Sequence, residues 1–174
     1  MTRTLYATRL LAAGAFLAMT SAAVAQGMVI RLSEPKFTVT IPDLQPFELG
    51  PHPNAGQQPT ARLFGSSKDG VSLSVLTPTA EGASAQQCAS WLAGSVISRF
   101  GPNLAAVQLL PAGENAWVVL FPFVVPPIEQ LKAYVVAGNG KGRCLEVHVS
   151  RIGATEQQRQ QWLAGFRNVR VEAD

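Results

Sequence analysis

The chain has 174 residues, with 14 Lys or Arg against 11 Asp or Glu and a net charge of +3. So small a charge excess, with no run of basic residues, argues against a protein that binds nucleic acid through its phosphates. Apolar residues make up 47% of the chain and only two cysteines occur, a composition typical of a globular protein rather than of a disordered or cysteine-rich one.

The N-terminus has the pattern of an export signal. Arg3 and Arg9 are followed by the apolar run Leu10–Met19 and by the small-x-small sequence Ala23-Val24-Ala25. This order is typical of a secretory signal peptide, and the apolar run is shorter than the roughly 20 residues that span a membrane. We therefore expect cleavage before Gln26 and a periplasmic or secreted mature protein without a membrane span; the alternative is an uncleaved anchor.

The predicted mature chain, residues 26–174, is long enough for one α+β domain. A domain of this size buries about 70% of the surface that its unfolded chain exposes, so it needs neither a metal nor many disulfides to fold. Loss of Arg3 and Arg9 leaves a net charge of +1. Binding to nucleic acid is accordingly not expected, and no cofactor is predicted.

The first half of the mature chain predicts β structure interrupted by one long loop. Met28–Leu32 and Lys36–Ile41 alternate in the way that half-buried strands do. Residues 42–60 contain five prolines and two glycines and therefore predict an irregular loop, of a length that is usually functional or disordered. Ala61–Ser66 and Val71–Thr77 follow as a hairpin, with a turn at Asp69-Gly70.

Two helices are predicted, each with a capping box at its start. The first covers residues 84–100, where Ser84 is the N-cap and Gln87 stands three residues later. The second covers residues 155–166, where Thr155 and Gln158 have the same spacing. In this motif the two side chains bond each other's backbone amides and so define where a helix begins.

The remaining segments predict four strands between the helices and a short closing strand at Val169 and Val171. The four are Ala105–Leu110, Ala116–Phe121, Ala133–Ala137 and Arg143–Ser150. Hairpin connections dominate, so the expected fold is α+β, a largely antiparallel β-sheet with both helices packed on it as an α/β/α-type sandwich.

Three stretches, Phe37–Pro42, Asp69–Thr77 before the first helix and Arg143–Ser150 before the second, resemble the small exported α/β/α sandwiches of the PsbP/Mog1-like class. The resemblance concerns the order of elements over most of the mature chain. It implies a role as an assembly or accessory factor, and it carries no functional residue over to this sequence.

The two cysteines, Cys88 and Cys144, are predicted to form a disulfide. An even number of cysteines in an exported chain favours a bond. The alternatives are two buried thiols or one reactive cysteine.

Glu146 and His148 are two residues apart on one strand and therefore share a face. Such a pair can serve in proton transfer, or in metal binding if further ligands join it. His52 is the only other histidine in the chain. The plainer interpretation is a solvated or mutually hydrogen-bonded pair. Cys144 shares the face, but about 13 Å of strand separates it from His148, too far for a thiolate–imidazole pair.

An uncharged stretch, Ala116–Ile128, is the most distinctive internal feature. Its three prolines predict that a strand ends at Phe121 and that a stiff apolar loop follows. A stiff loop loses little conformational entropy on binding. The residues expected to contact a partner are Phe121, Phe123, Val124, Val125 and Ile128; the alternative is that this loop is buried over the sheet edge.

These observations favour a non-catalytic exported accessory protein that binds a protein partner, or a second copy of itself, through its apolar or proline-rich loops. The second hypothesis is a small-molecule or lipid binding protein, with its ligand between the sheet and the loop at residues 42–60. A hydrolase that uses Glu146 and His148 with a further residue is the third. No catalytic, cofactor-binding or metal-binding residue is assigned.

Overall fold

The computed structural model describes residues 27–80, 83–100, 106–125 and 127–173. The signal peptide predicted over residues 1–25 lies outside them. Within the described part are ten strands and two helices, which confirms the α+β class, and no helix there is long and apolar enough to cross a membrane. The elements are β1 (Met28–Ser33), β2 (Lys36–Ile41), β3 (Gly50–Pro51), β4 (Ala61–Ser66), β5 (Val71–Leu76), α1 (Ala85–Phe100), β6 (Gln108–Pro111), β7 (Ala116–Val125), β8 (Ile128–Gly138), β9 (Cys144–Ile152), α2 (Glu156–Phe166) and β10 (Arg170–Ala173).

The strands form two antiparallel sheets rather than one. β1 and β2 pair as a hairpin, and β10 pairs with the other side of β2 to complete a three-stranded sheet. Phe37, Val39 and Ile41 of β2 are each only 1% exposed, as their alternation predicts. The second sheet has seven strands in the order β3-β4-β5-β9-β8-β7-β6. The proline-rich segment after β2 cannot itself continue a ladder, and the free side of β2 is taken by β10.

The seven-stranded sheet is buried on both faces at its centre. Leu145, Val147 and Val149 of β9 face the core shared with the three-stranded sheet and α2. Tyr134 and Val136 of β8 face α1. The molecule therefore has α1 on one side of the large sheet and the small sheet with α2 on the other.

Strand β7 is longer than the sequence predicts. It continues through Pro122 to Val125 and pairs with β8 over its whole length. β6 begins at Gln108, opposite Leu120, so among the described residues the end of β7 is an edge strand. Proline is tolerated there because its missing N–H can face outward. The stiff loop expected over Phe121–Ile128 is therefore the end of a β-hairpin.

Helix α1 starts at its predicted capping box. The Ser84 amide donates to Oε1 of Gln87 at 2.8 Å, and the Gln87 amide donates to Oγ of Ser84 at 3.2 Å. Cys88, Leu92 and Val96 form the buried stripe. A disulfide from Cys88 to Cys144 fastens the first turn to β9, with 5.7 Å between the Cα atoms.

Helix α2 also begins at the predicted box of Thr155 and Gln158. Its apolar end contributes Trp162 and Phe166, whose rings lie 5.3 Å apart, to the core beneath the small sheet. The proline-rich segment at residues 42–60 is irregular as predicted, apart from the two residues of β3.

Gly138 lies where α1 crosses the large sheet, directly opposite Cys144 in the β8–β9 pair. A Cβ atom there would lie 2.5 Å from the carbonyl oxygen of Ala85 and 2.6 Å from Cβ of Cys88. Since these are backbone or disulfide-bound atoms, they cannot move away without lifting the helix. Gly138→Ala should therefore lower the free energy of unfolding by about 2 kcal/mol, measured by urea denaturation.

Gly94 provides the matched control for that prediction. It lies in α1, is exposed, and has nothing within 4 Å of the position of an added Cβ. Gly94→Ala should raise the stability by up to about 1 kcal/mol because alanine favours helix. A Gly138→Ala protein as stable as the wild type would show that α1 does not pack as closely as described.

Candidate functional site

The residues predicted to contact a partner differ widely in how far the sheet buries them. Phe121 is 1% exposed and its ring stacks on Tyr134 at 6.0 Å, so the prediction of an accessible Phe121 is wrong. Phe123 is half-buried and lies under Nζ of Lys132, 4.5 Å from the ring centroid. Val124 and Ile128 are 60% and 46% exposed. The side chain of Val125 lies outside the described part.

One further apolar residue joins the exposed pair. Ile152, at the end of β9, is 55% exposed and lies opposite Gln130, two residues along β8 from Ile128. Val124 lies on the other face of the hairpin, opposite Glu129. We call Val124, Ile128 and Ile152 the apolar tip. Ile152 could not be found from local sequence because only the register of β8 and β9 brings it there.

Glu146 and His148 share a face of β9, as the sequence predicts, but they are neither a mutually bonded nor a solvated pair. The Glu146 carboxylate is buried and lies 3.5 Å from the guanidinium of Arg99 at the end of α1. The His148 ring stacks on Tyr134, its partner across the β8–β9 ladder, at 4.4 Å between centroids. Both side chains are thus part of the packing between α1 and the sheet.

Burial dominates the ionisation of this cluster. It lowers the pKa of His148 to about 4, with smaller contributions from the positive charges of Lys132 and Arg99. It also raises the pKa of Glu146, against the opposing effect of Arg99. His148 Nε2 is buried without a hydrogen-bond partner. The folded protein therefore favours a neutral His148, and a proton there would be costly.

A lysine and two serines adjoin His148 on the same face. Lys132 is buried, and desolvation lowers its pKa. Ser150 lies opposite Lys132 on the neighbouring strand, and its hydroxyl is 2.7 Å from that of Ser72. Ser150 is only 7% exposed, and its hydrogen bond to Ser72 joins β5 to β9.

The cysteines and His52 are all held in structural contacts. Both cysteines are consumed by the disulfide, so neither offers a thiol nucleophile. His52 packs edge-on against Phe64, and its Nδ1 accepts from the amide of Asn54. In the described ranges no three His, Cys, Asp or Glu residues are grouped as they would be around a metal ion.

Two surface depressions can be compared by whether their polar groups already have partners within the protein. A cleft of about 630 Å³ lies between the start of α1 and the β8–β9 turn, lined by Lys141 and Arg143. There the helix amide of Gln87 is capped by Ser84, and Arg143 donates to Thr79. The Gln87 amide and the Arg143 guanidinium therefore already have partners within the protein.

The second depression, which we call the loop–helix cavity, has a volume of about 380 Å³. It lies between the start of the proline-rich segment, residues 42–45, and one side of α2, and Arg151 of β9 forms part of its lining. Its apolar lining includes Trp162 and Leu44. This is the region in which the small-molecule hypothesis expects a ligand.

Comparison with known proteins adds no assignment: no protein-family model matches the chain, and no curated protein is significantly similar to it. The resemblance to PsbP/Mog1-like sandwiches therefore stays a prediction.

Proposed function

We propose that this protein is a non-catalytic, exported interaction protein, periplasmic or secreted, which binds a partner protein through the apolar tip. The observation that carries the proposal is the exposure of Val124, Ile128 and Ile152 at one end of the β7–β8–β9 sheet. Clustered exposed apolar side chains mark interaction surfaces, whereas single ones are ordinary. The disulfide supports an oxidising compartment.

The shape of the tip favours a protein with an apolar groove as the partner. Val124 lies on one face of the hairpin and Ile128 on the other, so the tip projects and needs a concave surface to bury both sides. A lipid surface would favour a basic fringe. Instead, Arg159 nearby is paired with Glu129, and the adjacent turn carries Lys68 beside Asp69.

Substitution of the tip should separate binding from folding. A Val124→Thr/Ile128→Thr/Ile152→Thr variant keeps the β-branched side chains that suit strands and removes apolar surface. We expect its stability to stay within about 1 kcal/mol of the wild type because the residues are exposed, while affinity for the partner falls by about tenfold or more. Thermal unfolding and binding to the isolated partner measure the two effects.

The partner can be captured with a photo-crosslinking amino acid placed at Ile128 in producing cells. The control position is Leu109, which is 50% exposed on β6. We expect a discrete adduct from position 128 that is absent from position 109 and from the Val124→Thr/Ile152→Thr background. Equal adducts from both positions, or a tip variant that unfolds, would contradict the proposal.

A further inference from the structure

We infer that the loop–helix cavity is a binding site for a small zwitterion with an apolar body, of the size of an amino acid or a dipeptide. This site is separate from the apolar tip and does not depend on the proposed interaction function. Its volume of about 380 Å³ falls within the range of small-molecule sites, which combine apolar walls with a few polar groups.

Arg151 is the residue that points to a ligand. Arg151 lies on the same face of β9 as Leu145, Val147 and Val149, which all face the core. Its neighbours across the two strand pairs are Val71 and Leu131, which are 5% and 7% exposed. Among the described residues, no ion pair or side-chain hydrogen bond involves its guanidinium. Arg151 is half-buried as a residue, and a guanidinium beside apolar side chains is a favourable partner for a carboxylate.

Asp43, an exposed residue that also lines the cavity, supplies the opposite charge. Its backbone is left-handed, with φ of 62°, and its Oδ2 lies 3.4 Å from where a Cβ on Gly165 would be. The close approach that Gly165 permits therefore places the carboxylate against α2. In the part of the chain that the structure describes, Asp43 has no ion pair or side-chain hydrogen bond of its own.

The remaining lining suits the body of such a ligand. Trp162 and Leu44 offer apolar surface, while Gln45 and Gln161 carry amides at the border. A ligand carboxylate would accept two hydrogen bonds from the planar guanidinium of Arg151, and a ligand ammonium would donate to Asp43. The two charges of one molecule would thus pair with both charged groups of the lining, neither of which has an ion-pair partner among the described residues.

The test is calorimetric titration of the mature protein with L-leucine and the dipeptide Leu-Leu. N-acetyl-leucine, which lacks the ammonium, and leucine amide, which lacks the carboxylate, are the matched probes. We expect saturable binding of at least one zwitterion and about tenfold or greater weakening with each blocked form. No binding of either zwitterion, or equal binding of the blocked forms, would overturn the inference.

Variants locate the site. Arg151→Gln should weaken zwitterion binding at least as much as loss of the ligand carboxylate does. Asp43→Asn, which still tolerates the left-handed backbone, should mimic loss of the ammonium. Arg31→Gln, at an exposed position of β1, should bind as the wild type does. An Arg151→Gln protein that melts normally and binds normally would overturn the inference, whereas loss of binding by the tip variant would contradict the independence of the two sites.

Discussion

Loss of the Cys88–Cys144 disulfide is expected to lower the free energy of unfolding by about 4 kcal/mol. The bond closes a loop with a sequence separation of 56 residues, and in the chain-entropy account a longer loop restricts the unfolded chain more. Both cysteines are almost fully buried, at 1% and 0% exposure. The loop contains α1 and β6 to β8, so the bond joins elements that are far apart in sequence.

A Cys88→Ala/Cys144→Ala variant tests this expectation without placing a polar group in the interior. Urea unfolding of this variant, of the oxidised wild type and of the reduced wild type should give one stable and two weakened proteins. The slope with urea concentration should also change, because an uncrosslinked unfolded chain exposes more surface. Equal midpoints for the oxidised and reduced proteins would show that the bond does not contribute to stability.

Features with a local signal were predictable from the sequence. The capping boxes at Ser84 and Thr155 lie where expected, since each motif bonds within four residues. The hairpin turn at Asp69-Gly70 has the positive φ that its glycine favours, 75°. The pairing of Cys88 with Cys144 followed from their number. In each case the physical cause lies within a few residues or in a simple count.

Features that depend on distant pairing were not predictable. The partition into two sheets depends on β10 returning to β2. The continuation of β7 through Pro122 depends on β6 beginning only at Gln108, opposite Leu120. Ile152 reaches the apolar tip only through strand register. Arg151 had a readable signal, because it continues an alternating apolar face, but only the fold brings Asp43 to the same cavity.

Acid is expected to destabilise the protein through His148. The pKa of His148 is lowered from 6.5 to about 4 in the folded state, so the unfolded chain binds a proton over this interval that the folded protein does not. The stability contribution is fully present above pH 6.5 and is lost as the pH falls towards 4. The full shift in the pKa of His148 corresponds to a change of about 3 kcal/mol in the free energy of unfolding.

Glu146 acts in the opposite direction. Its raised pKa means that the folded protein takes up this proton before the unfolded chain does, which returns some stability as the pH falls through that raised value. Tyr134 and Lys132 flank His148 from β8, and Arg99 approaches from α1. The net loss in the wild type should therefore be smaller than His148 alone would give, and Glu146→Gln should deepen it.

His148→Phe isolates the histidine because the new ring can keep the stack on Tyr134 while removing a buried nitrogen without a partner. Between pH 7 and pH 4.5 we expect this variant to lose about 2 kcal/mol less stability than the wild type, measured by urea unfolding at each pH. If His148→Phe loses as much stability as the wild type over this range, the acid sensitivity arises elsewhere, and the neutral, buried state of His148 cannot be its cause.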